Sequence, residues 1–455
     1  MANRFRTSIF QLALRAQGIN FEAAFEAAVS NQGKGPDDLY VLQQERFDRI
    51  FRSAAADNAA YRQFLHAHDA LKLKTGDARS LSSLPLLNKD ALARIAAAAP
   101  GRPGILPPIV KRTSGSSGRP LALFKQRSGL AMELAATWRS YGWYGINPGD
   151  RHVRVWGRPL NWRKRAFNVI KGTALNSIQI SAFDVTEAEL RTRLQQIRAS
   201  TPSFLYGYAS ALRELAEFAL AENISAPGSL RAVVSTAEPL DGDTRRTIEA
   251  AFSTSCRDEY GCSEVGSIAH ECNAGQMHIM ADNLIAEVMQ DGGTISRTGF
   301  GELLVTDLTN ELTPVIRYQV GDFCELSAAH DCECGVHFPV IRNILGRIED
   351  TIVMPDGTRH HPAKICYLVD KIDEPFQVVK QFQVIQNAPA QFELRIVPDG
   401  RLPMPDFEAR ARSIFSNELD PDVAISVREV SSIAREKSGK FKIVVALEPT
   451  PVQVR

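Results

Sequence analysis

The sequence predicts an α/β protein: a large N-terminal domain of several subdomains, with layered sheets and helices, precedes a small α+β domain. Short β-rich runs alternate with helical runs from about residue 105, as in proteins with partly parallel sheets. Closely spaced strands with glycine turns fill residues 284–326, which favours a more antiparallel, barrel-like section. Further strand and helix signals follow residue 345, and they are sufficient for a separate small domain.

The composition and charge exclude several classes of protein. The 455 residues are 44% hydrophobic and carry a formal charge of +1, so whole-molecule attraction to nucleic acid or to an acidic membrane is not expected. No stretch approaches 18 apolar residues, which argues against a membrane span. The N-terminus lacks the features of a signal peptide, and seven cysteines do not resemble a secreted disulfide framework. We therefore expect a cytoplasmic protein without a nucleic-acid or membrane partner.

The helical and β-rich segments can be placed approximately along the chain. Residues 1–104 are predicted to be mainly helical, because apolar residues recur at spacings of three and four in 21–29 and 41–51. The alternating region has predicted strands at 121–124, 152–156, 204–206 and 232–235, and predicted helices at 129–141, 209–221 and 242–252. After a boundary near residues 345–352, strands are predicted at 376–385, 393–397 and 424–430, and a helix at 407–419.

The segment TSGSSGRP, Thr113–Pro120, is the most unusual stretch of the sequence. Its glycines allow several backbone N–H groups to face one anion, and its hydroxyls and Arg119 add further donors. The strand-like flanks indicate a loop between elements, and the ending of a Walker P-loop is missing. The residues alone leave two interpretations open, a phosphate-binding loop or a mobile Ser/Gly turn.

Four later stretches combine with this loop into a family pattern. They are YGCSE (260–264), RYQVGD (317–322), LGRIED (345–350) and SGK (438–440). Singly, each is equally compatible with a turn, a cap or a surface charge. In this order they resemble the adenylate-forming superfamily, most closely the branch of phenylacetate–CoA ligase, coenzyme F390 synthetase and CapK-like proteins. The resemblance extends from about residue 58 to the C-terminus.

The resemblance implies an AMP-forming ligase that uses ATP and Mg²⁺. Such enzymes convert a carboxylic acid into an acyl-adenylate, release pyrophosphate and usually transfer the acyl group to the thiol of CoA. It implies a large domain over 1–345, a hinge over 346–350 and a mobile small domain over 351–455. The small domain carries the catalytic Lys440, and the hinge residue is Glu349. A homodimer is also common in this branch.

Individual site residues follow from the matching motifs. Glu264 corresponds to the magnesium-binding catalytic glutamate, Tyr260 to the ring that stacks on adenine, and Asp322 to the acid that binds the ribose. Arg119 and Gln319 stand where relatives commonly carry a lysine and a basic residue. The residues that the resemblance assigns to ATP are Thr113, Ser114, Gly115, Ser116, Ser117, Gly118, Ala237, Glu238, Pro239, Tyr260, Gly261, Ser263, Asp322 and Arg347.

A cysteine–histidine cluster is a second candidate site. Cys272 and His278 lie in HECNAGQMH, and Cys332 and Cys334 form a C-x-C. Three thiolates and one imidazole are a common structural zinc set, and some relatives in this branch share the spacing. His270 competes with His278 as the nitrogen ligand. The alternative is a pair of turns with reduced cysteines.

The acid and the acceptor are less defined. The resemblance places the acid pocket near Tyr206, Tyr208 and Ala209, where the tyrosines could stack on an aryl or arylacetic acid or simply pack internally. The tract 156–165 mixes aromatics with cations; it could contact CoA, form a basic surface loop or bind single-stranded nucleic acid, which the neutral charge disfavours. Transfer to an amine or carrier is the alternative to CoA. A non-catalytic nucleotide-binding homologue is disfavoured, because Glu264, Asp322 and Lys440 are all present.

Overall fold

The computed structural model describes most of the chain in two compact units. The units are Met1–Val320 with Glu325–Arg342, and Gly321–Cys324 with Asn343–Arg455. The described residues are 2–68, 70, 81–99, 106–112, 121–157, 172, 175–182, 186–290, 293–328, 331–347, 352–360, 362–433 and 444–447. The predicted α/β class is confirmed.

The first unit begins with helices and continues with helices between strands. Asn58 and Asn88 begin two of these helices by accepting hydrogen bonds from the backbone N–H groups of Tyr61 and Ala91, each at 2.9 Å. The described helices are α1 (Ala2–Arg15), α2 (Phe21–Asn31), α3 (Pro36–Asp57), α4 (Ala59–Ala67), α5 (Lys89–Ala97), α6 (Arg127–Gly142), α7 (Glu187–Ser200), α8 (Ala209–Ala221) and α9 (Gly242–Phe252).

The strands of this region form a hairpin and one large mixed sheet. The hairpin pairs β1 (Ile109–Arg112) with β2 (Ala122–Lys125). The sheet strands are β3 (His152–Val155), β4 (Ser177–Ile180), β5 (Phe204–Tyr208), β6 (Ala232–Thr236), β7 (Cys256–Cys262), β8 (Gly266–Glu271), β9 (Met277–Ile279), β10 (Leu284–Met289), β11 (Ile295–Ser296), β12 (Gly299–Asp307), β13 (Tyr318–Ser327) and β14 (Val340–Arg347). Their order is β11-β10-β12-β13-β14-β9-β8-β7-β6-β5-β3-β4.

The direction of pairing changes at β7. Strands β3 to β7 pair in parallel, whereas β7 with β8 and β8 with β9 are antiparallel. The more antiparallel pairing expected at 284–326 is confirmed for β10 with β11 and β12, and the barrel-like closure stays a prediction. The antiparallel strands there continue the same sheet, because β14 pairs with β9 and so joins the two parts.

Helix α6 packs one face of the parallel strands against the N-terminal helices. Trp138 and Tyr141 of α6 contact Phe204 of β5. Phe10 of α1 packs edge-on against both Trp138 and Phe21. The buried residues between Phe10 and Ala28, which precede the sequence motifs, therefore complete the core on this face of the sheet.

The second unit has an α+β core. Its described elements are β15 (Ile352–Val353), β16 (Arg359–His360), α10 (Pro362–Asp373), β17 (Val379–Ala388), β18 (Gln391–Pro398), α11 (Met404–Glu418), β19 (Ala424–Glu429) and β20 (Val444–Val445). The four-stranded sheet has the order β19-β18-β17-β20. Ile365 of α10 and Phe407 of α11 are buried with Leu394 of β18. Among the described residues of both units, no helix is long and apolar enough to cross a membrane.

Candidate functional site

Three predicted site segments follow neighbouring parallel strands. Tyr208 ends β5, Ala237 comes directly after β6, and Tyr260 lies near the end of β7. The parallel registers pair Tyr208 with Thr236 and Thr236 with Glu259, so the three segments meet at one edge of the sheet. The carboxyl ends of parallel strands are where α/β proteins bind ligands.

The segment after β6 is fixed by a buried carboxylate. Ala237 has a positive φ of 66°, a conformation that is uncommon outside glycine. Oε2 of the buried Glu238 accepts hydrogen bonds from the backbone N–H of Ser210, at 2.8 Å, and from its hydroxyl. This carboxylate therefore connects the predicted adenine wall to the first turn of α8, where the predicted pocket residue Ala209 lies.

The YGCSE turn is connected to the RYQVGD motif. Tyr318 donates a hydrogen bond to Oε1 of Glu264 at 3.3 Å. Gly261 leaves no room for a side chain, because a Cβ there would lie 2.5 Å from the carbonyl oxygen of Gly266. Ser263 lies exposed in the same turn. The turn therefore holds the Glu264 carboxylate half-buried beside Tyr318.

Two other residues of the RYQVGD motif have internal partners. The buried Arg317 donates to Glu287 at 3.1 Å and to the carbonyl oxygens of Ser82 and Leu84, each at 2.9 Å. Gln319 donates to Glu302 at 3.2 Å. These two side chains stabilise the fold around the motif.

The remaining predicted nucleotide residues are described in part or not at all. Asp322 is buried in β13, within the second compact unit. Arg347 ends β14, and its side chain lies outside the described residues. The loop Thr113–Gly118, with Arg119, and the residues Glu349 and Lys440 also lie outside them.

The two pocket tyrosines contact Trp156, the first residue of the aromatic and cationic tract 156–165, for which the sequence did not predict a place beside the acid pocket; residues 158–165 of the tract lie outside the described residues. Trp156 stacks on Tyr208 at 4.3 Å between ring centroids and on Tyr206 at 5.7 Å. The guanidinium of Arg154 lies over the rings of Tyr206 and Trp156, at 5.0 and 5.7 Å. The signal is visible in retrospect, because β3 pairs with β5 and places Arg154 opposite Tyr206.

A buried acid directly precedes Tyr260. Oε2 of Glu259 accepts a hydrogen bond from the hydroxyl of Tyr141 at 3.3 Å. Burial raises the pKa of Glu259 to about 7, although the charge of Arg154 and the hydrogen bonds from Tyr141 and Tyr206 oppose the increase. Burial and the charge of Glu271 raise the pKa of Asp258 to about 7 as well. The sequence DEYG contains both acids, but sequence reasoning assigned them no role.

The cysteine–histidine cluster is assembled from two distant turns. The ligand atoms of Cys272, His278, Cys332 and Cys334 all lie within 4.8 Å of one another. The sulfurs of Cys272 and Cys332 are 3.8 Å apart, and Nε2 of His278 is 3.3 Å from the sulfur of Cys334. These distances resemble the edges of a tetrahedron around a metal with bonds of about 2.0–2.3 Å to nitrogen and sulfur.

The surroundings of His278 prepare its Nε2 for a ligand. Nδ1 lies 3.1 Å from the carbonyl oxygen of Phe338, so a proton on Nδ1 leaves Nε2 free to coordinate. Trp143 packs edge-on against the ring at 5.9 Å. The competing His270 is buried outside the cluster, and neither of its ring nitrogens has a hydrogen-bond partner among the described residues. The four predicted ligands are therefore brought together.

Comparisons with known proteins agree with these motifs. Residues 353–446 match the family model described as the CapK C-terminal domain. The chain is 25% identical to protein CapK of Staphylococcus aureus, over 69% of either chain. It is 24% identical to the phenylacetate-coenzyme A ligase of Thermus thermophilus, over 68% of this chain and 69% of that protein.

A solved structure gives the same result at the level of the fold. The 2-hydroxyisobutyryl-CoA ligase, in a postadenylation state with 2-HIB-AMP, superposes with a TM-score of 0.67 at 19% identity and covers 88% of each chain. The fold and the sequence relatives together support the resemblance to the branch of the adenylate-forming superfamily that includes the phenylacetate–CoA ligases and CapK.

Proposed function

We propose that the protein is an ATP-dependent, AMP-forming acid–CoA ligase for an aryl or arylacetic acid. The observation that carries this proposal is the edge of the parallel strands, where the register of β6 and β7 brings Tyr260 next to Ala237, and the turn after β7 carries Glu264. Tyr318 joins Glu264 to the motif that carries Asp322. The similarity to phenylacetate–CoA ligases supports the choice of acid and acceptor.

In the first half-reaction, a carboxylate oxygen of the acid attacks the α-phosphorus of ATP. The bond from the α-phosphorus to the bridging oxygen breaks, and pyrophosphate leaves with the electron pair. This chain would stabilise the developing negative charge with the hydroxyls and N–H groups of Thr113–Gly118, and with Lys440 near the reacting oxygens. Glu264 would hold a magnesium ion, which neutralises phosphate charge.

In the second half-reaction, the CoA thiolate attacks the acyl carbon and AMP leaves. Lys440 has no part in this step, so the small domain would turn about Glu349 to bring a different face to the acyl-adenylate.

In both half-reactions, Tyr260 would stack on the adenine, with Ala237–Pro239 as the opposite wall. Asp322 and Arg347 would bind the ribose and phosphate. Tyr206, Tyr208 and Ala209 would line the acid pocket.

The second candidate function is transfer of the activated acyl group to an amine or a carrier. The similarity to CapK, in sequence and in the C-terminal domain model, favours it. The two functions share the first half-reaction and differ only in the acceptor.

Pyrophosphate and AMP release across a panel of carboxylic acids, with and without CoA, tests both functions. AMP release that requires CoA supports the ligase. Activation without CoA-dependent turnover, with amide formed when an amine is added, supports the alternative. If the protein with MgATP shows no pyrophosphate exchange for any acid, both candidates fall.

We also propose that the cysteine–histidine cluster binds a structural zinc ion. Three thiolates and one imidazole close a four-ligand shell, which leaves no position for a substrate. The described cysteines are free thiols, which supports a reducing, cytoplasmic compartment. We expect one zinc per chain in the purified wild-type protein and in His270→Ala, and none in His278→Ala. Zinc retained in His278→Ala would contradict this assignment.

The homodimer that the resemblance implies can be checked separately by light scattering.

A further inference from the structure

Helix α6 carries a carboxylate that pairs with two lysines at once. Oε2 of Glu133 lies 2.8 Å from Nζ of Lys125, and Oε1 pairs with Nζ of Lys111. Lys125 is almost fully buried and lies 3.4 Å from Asp307 as well. Glu133 is therefore the shared anion between two cations, in a place with little access to water.

The two lysines belong to the two strands of one hairpin. Lys111 is on β1 and Lys125 is the last residue of β2, where it pairs with Ile109. Ile109 and Lys111 are two residues apart, so both lysines lie on one face of the hairpin. In the sequence, Lys111 stands two residues before Thr113. One carboxylate thus fixes both strands that flank residues 113–120 against α6.

The same carboxylate packs against the turn that carries Glu264. Gly266 begins β8, two residues after Glu264, and has a φ of +92°. A Cβ on Gly266 would lie 2.6 Å from the carboxyl carbon of Glu133. Only a glycine therefore allows this approach, and Glu133 comes into direct contact with the start of β8.

The charge of Glu133 is essential to this arrangement. Burial alone would raise the pKa of Glu133, but the charges of Lys125 and Lys111 outweigh it and lower the pKa to about 2. Glu133 is therefore ionised at any pH at which the protein is assayed. Loss of its charge would leave the almost fully buried Lys125 and the partly buried Lys111 with Asp307 as the remaining anion, and a broken buried ion pair is costly.

We propose that Glu133 is a positioning residue for the nucleotide half-reaction. It holds the strands beside residues 113–120 and the turn of Glu264 in one fixed geometry. This inference rests on the proposed function, in which both segments bind the phosphates of ATP. A displacement of about 1 Å in a positioning group can reduce the rate about 100-fold, so the defect should appear in the step that uses ATP and not in the transfer step.

The test compares Glu133→Gln with a second buried ion pair on the same helix. Arg139 of α6 pairs with Asp282 at 2.8 Å, and both side chains are almost fully buried. Asp282→Asn breaks this pair at the other end of α6 and serves as the matched control for stability. MgATP binding is measured by calorimetry, and ATP–pyrophosphate exchange and transfer from a supplied acyl-adenylate are measured at 20 °C.

We expect Glu133→Gln to weaken MgATP binding about tenfold and to lower exchange roughly 100-fold, with transfer within about twofold of wild type. Glu133→Asp should recover part of the exchange, and Asp282→Asn should change neither half-reaction at 20 °C. Equal losses in both half-reactions, or in both variants, would overturn the proposal. Should Glu133→Gln fail to fold, Lys111→Met is tested in its place. We expect it to lower ATP–pyrophosphate exchange but not transfer, by a smaller factor than Glu133→Gln. If wild-type protein binds no MgATP, the proposed function itself fails, whereas normal exchange in the variants rejects only the role of Glu133.

Discussion

The cysteine–histidine cluster and the edge of the parallel strands are built in opposite ways. In the cluster, four ligand atoms from two turns face one another, all within 4.8 Å. At the strand edge, each carboxylate accepts a hydrogen bond from a neighbouring residue: Glu264 from Tyr318, and Glu238 from Ser210. Within the part of the chain that the structure describes, Oε1 of Glu238 has no hydrogen-bond partner. A metal site with four protein ligands can stabilise a fold but has no free position for a substrate. At the strand edge, by contrast, the carboxylates are positioned by neighbouring residues and can still bind a substrate. We therefore expect stability and activity to be separable between the two regions.

The largest expected effect is on stability and comes from the cluster. Cys332→Ser/Cys334→Ser removes two of the four ligands of the proposed zinc. We expect the free energy of unfolding to fall by roughly 5 kcal/mol or more, since loss of a structural metal is among the most destabilising changes. Pyrophosphate exchange at 15 °C should persist in the fraction that is folded. Thermal unfolding with and without chelator measures the first effect.

Glu333→Gln is the control for this double variant. Glu333 is exposed and lies between the two cysteines in sequence, so its replacement changes the turn without removing a ligand. Wild-type stability in the double variant would contradict this prediction. So would a Glu333→Gln variant whose thermal stability is the same with and without chelator.

The next largest effect is on activity and comes from Lys440. Lys440→Ala should lower ATP–pyrophosphate exchange roughly 100- to 1,000-fold, which corresponds to about 3–4 kcal/mol of transition-state stabilisation. Transfer from a supplied acyl-adenylate to CoA should continue, and the melting temperature should stay within about 1 °C. Single-turnover assays of the two half-reactions separate these outcomes.

Lys371→Ala is the matched control for Lys440. Lys371 lies in α10 of the same unit, where it pairs with Glu418 at the surface. Its removal should leave both half-reactions unchanged. Equal loss of both half-reactions in Lys440→Ala would remove Lys440 from the role that the resemblance gives it.

The sequence predicted the class of fold because periodicity is a local property. The helix predicted at 242–252 is α9 at the same bounds, since Asp241 caps its first turn and apolar residues recur at helical spacing. The order of the strands is not local. The turn-rich segment 284–326 gave no indication that its antiparallel strands would join the parallel strands in one sheet through β14 and β9.

The candidate site was predictable where a motif is contiguous and not where partners come from different elements. The spacing of residues in the sequence did not decide whether His270 or His278 is the nitrogen ligand. The two histidines are partners across β8 and β9, so both lie on the same face of the sheet. The distances to the cysteines decide in favour of His278. In the same way, Trp156 and Tyr141 contact pocket and edge residues from other elements, and the contacts could not be foreseen from the sequence.

The third prediction concerns the buried acid at the edge. The pKa of Glu259 is about 7 in the folded protein, above its ordinary value of 4.5. The folded state therefore favours the protonated form, and stability is lost as the pH rises from about 4.5 to about 7. At about 1.4 kcal/mol per pKa unit, the ionised form costs roughly 3 kcal/mol. Glu259→Gln should thus gain 2–3 kcal/mol relative to wild type between pH 5 and pH 8.

Glu133→Gln is the control in the same denaturation series. Glu133 is equally a glutamate packed at α6, but its pKa is about 2, so it is ionised in the folded state throughout this range. Its difference from wild type should stay nearly constant between pH 5 and pH 8. If the free energy of unfolding of Glu259→Gln changes with pH in parallel with wild type, Glu259 is already ionised at pH 5. Glu259 and Glu133 would then not differ in their charge state.

The smallest predicted effect tests whether the stack of Trp156, Tyr206 and Tyr208 binds the acid or only packs inside the fold. Arg154 lies over the rings of Tyr206 and Trp156, and an exposed cation–π contact contributes about 0.5–1 kcal/mol. Arg154→Met should therefore raise the KM for the acid that wild type activates fastest by about two- to fivefold, with little change in kcat.

Arg191 over Phe218, at 5.5 Å, is the same kind of contact on the far side of the sheet, and Arg191→Met is the matched control. Both variants should lose a similar, small amount of stability. A KM that rises only in Arg154→Met assigns the stack of Trp156, Tyr206 and Tyr208 to acid binding, because, of these two arginines, only Arg154 contacts a tyrosine of the predicted acid pocket. An unchanged KM in both variants would assign the stack to packing and would move the acid pocket away from the tyrosines.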